Sequence, residues 1–501
     1  MNKGNQQEAT CQNPAESVEQ RGLAEGNARR TPTTGTPSPG KVSRGLAGVR
    51  EAARRDKELQ FTALLHHVDK SRLLEGFEAL KRRAAPGVDG VNWSDYEPYS
   101  GEGIPSLHDR IHKGKYRAQP IRRVYIPKSD GSQRPLGILA LEDKIVQHAT
   151  ASVLNAIYEE DFLGFSYGFR PGRSQHDALD ALWVGLMETP VNWVLDLDIR
   201  GYFDHIQHEW MIRFLRHRIG DKRIIRLIIK WMRVGVLDNG NWLKPKEGSP
   251  QGAVISPHLA NIYLHYVFDL WAQQWRQRQA GGNVIMVRYA DDIVVGFEHK
   301  EDADRFLREL TERLNRFGLA LHPDKTRLLE FGRNAITNRK RQGKGRPETF
   351  DFLGFTHICS RTRKGKFMIR RKTIAKRLRR KLQQVKKELR KRMHDPIPEL
   401  GKWLRSVVQG YYNYHGVPYN LPQLYAFRHH LSKAWLAMLR RRSQKARKKL
   451  SWEKFGCILD EWLPTPHLTH PWPDERFRRH HPRQEPYAVT PPVRICAGGA
   501  P

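Results

Sequence analysis

The chain has 501 residues and carries 87 Lys+Arg against 53 Asp+Glu, a formal net charge of +34. That length allows two or three domains with real cores, and so large a positive surplus calls for a polyanionic partner, either nucleic acid or an anionic membrane surface. No apolar run of about 18 residues and no N-terminal apolar stretch is present, so no membrane span or signal peptide is legible and nucleic acid is the favoured partner.

Residues 1–45 are rich in Gly, Pro, Ser, Thr, Asn and Gln and read as a disordered leader. Between Val49 and Arg83 helical spacing appears in Phe61, Leu64, Leu65 and Val68, then in Leu73, Leu74, Phe77 and Leu80, predicting two helices that end before Pro86-Gly87. From Arg123 to Phe355 short apolar strands alternate with amphipathic helices, an α+β pattern. A strand-turn-strand surrounds Ser129-Asp130-Gly131-Ser132. Val194-Leu195-Asp196-Leu197-Asp198-Ile199 reads as a strand with Asp196 and Asp198 on one face, and periodicity does not choose between them.

Further on, Val284–Val287 and Ile293–Phe297 flank Tyr289-Ala290-Asp291-Asp292, which predicts a hairpin with two carboxylates at its tip. Adjacent carboxylates repel unless a cation lies between them, although Asp is also an ordinary turn former. Hard divalent cations are often held by one or two protein carboxylates plus substrate phosphates, and paired metals in phosphoryl transfer need carboxylates from separate strands. Asp302 to Phe317 follows as an amphipathic helix, with Phe306, Leu307, Leu310 and Leu314 on one face.

Beyond Arg361 the texture changes. Arg361 to His394 holds seventeen Lys/Arg and one Glu, while Ile374, Leu378, Leu382, Val385, Leu389 and Met393 recur at helical spacing. Solvated helix faces normally mix signs, so this near-pure positive charge points to a phosphate backbone. Arg440 to Lys449 is a second basic run, and from Trp462 the Pro- and His-rich tail predicts no regular structure. Cys11, Cys359, Cys457 and Cys496 form no C-x-x-C pair, which argues for a reducing compartment and against a zinc-supported domain.

In order along the chain stand Ala84-Ala85-Pro86-Gly87-Val88-Asp89-Gly90, Ile126-Pro127-Lys128, Arg134-Pro135-Leu136-Gly137-Ile138 and Tyr167-Gly168-Phe169-Arg170-Pro171-Gly172-Arg173-Ser174. The Asp198 strand, Gly248-Ser249-Pro250-Gln251-Gly252 with Ser256-Pro257, the Tyr289 turn, His322-Pro323-Asp324-Lys325-Thr326 and Phe352-Leu353-Gly354-Phe355 follow. This ordered set, spanning about residues 60 to 455, resembles a reverse transcriptase, and more closely the reverse transcriptase/maturase proteins encoded within group II introns.

The resemblance implies a right-hand polymerase, fingers and palm with an antiparallel sheet at 46–360, then an α-helical thumb/maturase domain at 361–460 and a tail at 461–501. It implies that Asp198, Asp291 and Asp292, with the carbonyl of Ile199, hold two Mg2+ ions, while Asp196 and Asp204 take structural roles. Phe203 would lie under the sugar of the incoming dNTP and exclude a 2′-hydroxyl, and Gln251 would abut that nucleotide and the template. Arg134 and Lys128 would meet the triphosphate, although Lys128 alone reads equally as a turn lysine; Lys325 would protonate the departing pyrophosphate.

Phe352, Leu353 and Gly354 match the element that holds the primer terminus. Arg370, Arg371, Lys372, Arg377, Arg380 and Lys381 would bind RNA, and Tyr411, Tyr412 and Tyr414 are either core or stacking platform. The implied partners are the intron RNA, target DNA, a DNA primer and dNTPs, in the bacterial cytoplasm and at the nucleoid when on target DNA; no membrane is implied, and a homodimer is compatible with a sequence that marks no interface.

Many relatives carry a C-terminal His-Asn-His endonuclease with paired cysteines, and nothing of that kind follows Trp462. His467, His470, His480 and His481 read as polar tail, with Arg476, Arg478 and Arg479 available to DNA. The alternatives are a splicing-only RNA-binding maturase with a decayed polymerase, and another polymerase of retron, diversity-generating or viral type; Asp198, Asp291, Asp292, Gln251 and Lys325 disfavour the first, Ala290 and the region past Arg361 the second.

Overall fold

The computed structural model describes residues 44–127, 133–238, 240–243 and 247–480. The expected leader lies outside them up to residue 43, as do Lys128 and its turn. Among the described residues eleven strands form three sheets. β1 (Ile121–Pro127), β2 (Gln133–Ile138), β4 (Val236–Asp238) and β5 (Asn241–Leu243) make the first, in the order β2-β1-β4-β5. β3 (Trp193–Asp198), β6 (Val284–Tyr289), β7 (Asp292–Phe297) and β8 (Arg327–Glu330) make the second, antiparallel throughout, in the order β6-β7-β3-β8. β9 (Phe350–Phe352), β10 (Phe355–Arg361) and β11 (Phe367–Thr373) form the third.

The second sheet is covered on both faces, which is why its strands read as continuous apolar runs rather than alternating ones. Leu195, Leu197, Met286, Ile293 and Val295 join one core with the helices Leu141–Asp161, Ser256–Leu264 and Lys300–Arg316. Val194, Ile285, Val287 and Val294 join the other with the helix Gln175–Glu188. The predicted stripe on Lys300–Arg316 is largely borne out. Phe306, Leu310 and Leu314 are buried and Leu307 half-buried, each full burial being worth about 1.5–3 kcal/mol.

Nearer the N-terminus the expected pair of helices is shifted. Helices span Arg44–Arg55 and Lys70–Glu78, whereas Phe61 bridges to Ile219 and Leu65–His67 is a single 3-10 turn. The Asp221 carboxylate accepts the N–H groups of Leu64 and Leu65 at 2.8 and 3.0 Å, a distant partner that local spacing cannot reveal.

The basic stretch is not helical from its start. Residues up to Thr373 complete the β10–β11 hairpin, which crosses the expected boundary at 360/361, and the helix runs Ala375–Lys391. It joins Ile397–His415, Leu421–Arg440 and Trp452–Trp462 around Leu382, Val385, Leu404, Tyr411, Phe427 and Trp435. Contrary to expectation the tail contains a helix, Pro473–His480, with Phe477 buried in the core on the outer face of the second sheet. Among the described residues no helix is long and apolar enough to cross a membrane.

Candidate active site

Tyr289 pairs with Asp292, so Ala290 and Asp291 form a two-residue turn with Ala290 at φ +56°, a region costly for a residue with a Cβ. Packing holds it there. Gly168 lies so close that a Cβ on it would sit 2.3 Å from the Ala290 nitrogen. The N–H of Tyr167 donates to the Arg288 carbonyl and that of Arg288 to the Phe165 carbonyl, both at 2.8 Å.

The fully buried Arg288 guanidinium donates to both Asp269 carboxylate oxygens (2.7 and 2.5 Å), to Asn261 Oδ1 (3.0 Å), to Ser166 Oγ (2.7 Å) and to the Ala290 carbonyl (3.1 Å). Asn261 Nδ2 in turn donates to the Gly168 carbonyl at 2.6 Å. Tyr167 and Gly168 fall within one of the ordered motifs, but Arg288, Asp269, Asn261 and Ser166 fall in none. The one legible sign is an arginine inside an otherwise apolar strand.

The ladder places Asp198 directly opposite Asp292, and Asp196 opposite Val294. Asp198 therefore stands at the end of the sheet beside the turn, whereas Asp196 lies further in, 3.3 Å from Arg327, with burial pushing its carboxyl up to about 6. Burial and then the charge of Asp198 raise the Asp291 carboxyl, opposed by Arg134 and Lys325. Confinement by surrounding protein and then the charges of Asp291 and Asp198 push the Asp292 carboxyl up to about 7, opposed by Arg377, although the residue keeps an edge open to solvent. Lys325 Nζ donates to Asp198 Oδ2 at 3.1 Å.

Bonds from the Arg200 N–H to the Ala320 carbonyl (2.9 Å) and from the His322 N–H to the Asp198 carbonyl (2.8 Å) flank the Ile199–Leu321 bridge. The Ile199 carbonyl therefore turns to the β7 side of its strand. Two carboxylates raised by their acidic neighbours, with Asp198 beside them, suit a divalent cation. Among the described residues, however, no three His, Cys, Asp or Glu side chains form a set able to hold an ion on their own. Such a donor set fits Mg2+ that keeps water and substrate phosphate among its ligands.

Phe203 lies half-buried in the turn Tyr202–Asp204, and its carbonyl accepts the Ser249 N–H at 2.7 Å. The Gln251 carbonyl accepts the Gly137 N–H at 2.6 Å, and Gly252, at φ +99°, lies where a Cβ would meet the Gly137 oxygen at 2.5 Å. β2, the Phe203 turn and the Pro250-Gln251-Gly252 turn thereby enclose a cavity of about 210 Å³ lined by Arg123, Pro135, Asp204 and Gln251. Arg134 is exposed on β2.

Leu353 (φ +44°) and Gly354 (φ +88°) make a tight turn between β9 and β10. Tyr414 Oη donates to the Leu353 carbonyl at 2.7 Å, and a Cβ on Gly354 would come within 3.1 Å of an Arg377 nitrogen. The Arg377 guanidinium thus lies beside this turn, and its charge acts on Asp292.

Of the other basic candidates, Arg370, Lys372 and Arg380 are exposed, and Lys381 is half-buried, with burial lowering its ammonium. Arg371 corrects the expectation. It is fully buried and donates to Asp180 at 3.1 Å, because β11 turns Ile369, Arg371 and Thr373 inward. Arg476 likewise is buried against Asp180 rather than offered to DNA. Tyr411, Tyr412 and Tyr414 are all core.

Residues 126–357 match the family model described as "Reverse transcriptase (RNA-dependent DNA polymerase)". "Protein YkfC" of Escherichia coli (strain K12) is 35% identical over 301 residues, covering 52% of this chain and 78% of that protein. "Group II intron-encoded protein LtrA" of Lactococcus lactis subsp. cremoris is 40% identical over 190 residues, 38% of this chain and 31% of that protein. The "Putative COX1/OXI3 intron 1 protein" of Saccharomyces cerevisiae is 28% identical over 313 residues, 53% of this chain and 37% of that protein. These two intron-encoded relatives are matched over only about a third of their own length.

Proposed function

The chain belongs to the group II intron-encoded reverse transcriptase/maturase family and is an RNA-directed DNA polymerase, and from that premise we propose that it binds its own intron RNA, assists splicing, and copies the RNA into DNA during retrohoming. The observation that carries this reading is the register of Asp198 opposite Asp292, which brings the carboxylates of two strands and the Asp291 turn to one end of a sheet.

In this reading the first sheet belongs to the fingers, the second is the palm, and the helices from Ala375 form the thumb/maturase domain, giving the right-hand layout. Asp198, Asp291, Asp292 and the Ile199 carbonyl would hold two Mg2+ ions, which when bound supply the charge that activates the primer 3′-hydroxyl and neutralises the pyrophosphate. Gln251 lines the cavity that would take the dNTP, Phe203 in the adjoining turn would lie under its sugar, and Arg134 on β2 would meet its triphosphate. Lys325, ion-paired to Asp198, is released to give its proton to the leaving pyrophosphate. Phe352, Leu353 and Gly354 seat the primer terminus, while Arg370, Lys372, Arg377, Arg380 and Lys381 line a phosphate-binding surface for RNA. Target DNA would be met at the nucleoid.

The test separates copying from splicing. Asp291→Asn should abolish primer extension on an RNA template yet leave protein-assisted splicing of the intron intact. Loss of both activities in a folded variant, or a wild-type chain that cannot extend a primer, overturns the reading.

A further inference from the structure

The C-terminal segment reaches the primer-holding turn through a continuous line of hydrogen bonds. Arg476, on helix Pro473–His480, is buried against helix Gln175–Glu188. Its guanidinium donates to the Asp180 carboxylate, to the His176 carbonyl (2.8 Å) and to His470 Nδ1 (2.6 Å). The His470 ring stacks on that of His176, centroids 3.9 Å apart, and its Nε2–H donates to the Asn413 carbonyl at 2.7 Å.

His176 Nε2–H donates to the Tyr414 carbonyl at 2.8 Å, and Tyr414 Oη donates to the Leu353 carbonyl at 2.7 Å. Further contacts tie the same segment to the end of helix Ile397–His415. Thr469 Oγ1 donates to the Tyr412 carbonyl (2.9 Å), and the N–H groups of Thr469 and His470 to the Gly416 carbonyl (2.9 and 3.1 Å).

Leu353 at φ +44° is a strained position for a branched residue and needs external restraint. The Tyr414 hydroxyl that bonds its carbonyl sits on a helix whose C-terminal turn is fixed by His176 and by residues 469–476. We infer that His176, His470 and Arg476 are positioning residues for the primer terminus, acting through Tyr414 on the Leu353–Gly354 turn, so that the C-terminal segment is a component of the polymerase rather than an appendage to it. The inference rests on the reading of Phe352–Gly354 as the primer-holding turn, and the experiment keeps the two apart.

Three variants of the full chain are compared in primer extension on an RNA template. Tyr414→Phe removes one hydroxyl, Arg476→Lys keeps a charge beside Asp180 but cannot span its three partners, and Gly354→Ala strains the turn itself. All three should raise KM for primer–template, Tyr414→Phe about fivefold for the one hydrogen bond it loses, while in Tyr414→Phe and Arg476→Lys kcat at saturation and affinity for template RNA without primer stay near wild type. In a series arrangement the double variant Tyr414→Phe/Arg476→Lys should fall short of the product of the singles.

A purely structural lesion would instead lower kcat and RNA affinity together. Should Arg476→Lys fail to fold, His470→Ala takes its place. Wild-type KM in Tyr414→Phe and the C-terminal variant alongside a raised KM in Gly354→Ala overturns the relay; wild-type KM in Gly354→Ala overturns the primer-turn reading and the relay with it.

Discussion

Replacing Arg288 by Met should unlatch the catalytic turn. The guanidinium is fully buried and supplies five contacts: two to Asp269 and one each to Asn261, Ser166 and the Ala290 carbonyl. Removing one partner of a buried ion pair typically costs about 3–5 kcal/mol, because the other charge is left without compensation. Against a whole-protein stability of about 5–15 kcal/mol, that is about a fifth or more of the total.

Asp269 would then be the isolated group, so Arg288→Met/Asp269→Leu should recover most of the loss, since apolar replacement of an entire buried pair is often neutral or better. Primer extension should not recover, because the Ala290 carbonyl remains without its anchor and the turn at φ +56° loses its restraint. Denaturant unfolding of wild type, single and double variants measures the first effect, and single-turnover extension the second. A single variant within 1 kcal/mol of wild type, or a double variant that regains full extension, would refute the argument.

Three other outcomes follow. Because the Asp292 carboxyl is held up to about 7, a cation entering below that pH must displace a proton; the Mg2+ concentration for half-maximal extension should fall as pH rises to about 7 and level off above it, and a titration at pH 6 and 8 giving equal values would contradict this. Phe203→Ala should extend primers with rNTPs far better than wild type while retaining dNTP use, as read by competing the two nucleotide sets. Arg370→Ala and Lys372→Ala should each weaken intron-RNA binding and reduce its log–log salt slope by about 1, whereas Arg371→Ala should lower thermal stability, since its charge faces Asp180 and not solvent.

The hairpin at Tyr289, the Asp198 strand and the helix Lys300–Arg316 were legible because each is specified by its own local pattern. Arg371 and Arg476 were misjudged for the opposite reason. Their shared partner, Asp180, lies 191 and 296 residues away, and nothing near an arginine in sequence announces that its counter-ion is so distant. The tail helix was hidden similarly, since Phe477 finds its core only through tertiary docking. β11 was more accessible, because Ile369, Arg371 and Thr373 alternate inward at a period of two, but basic composition and the helical spacing from Ile374 masked it. The turn residues Leu353 and Gly354 were found as a motif, while the left-handed backbone that makes them dependent on Tyr414 has no sequence mark.

The near-contact of Gly168 with Ala290 also bears on how the molecule acquires activity as it folds. The strained turn is stable only after the chain around Ser166 has docked on Arg288, a contact spanning 122 residues. Loop closure over such a separation is slow compared with forming a local hairpin, so β6 and β7 can zip together before the turn between them is set. Catalytic competence should therefore lag behind secondary structure during refolding.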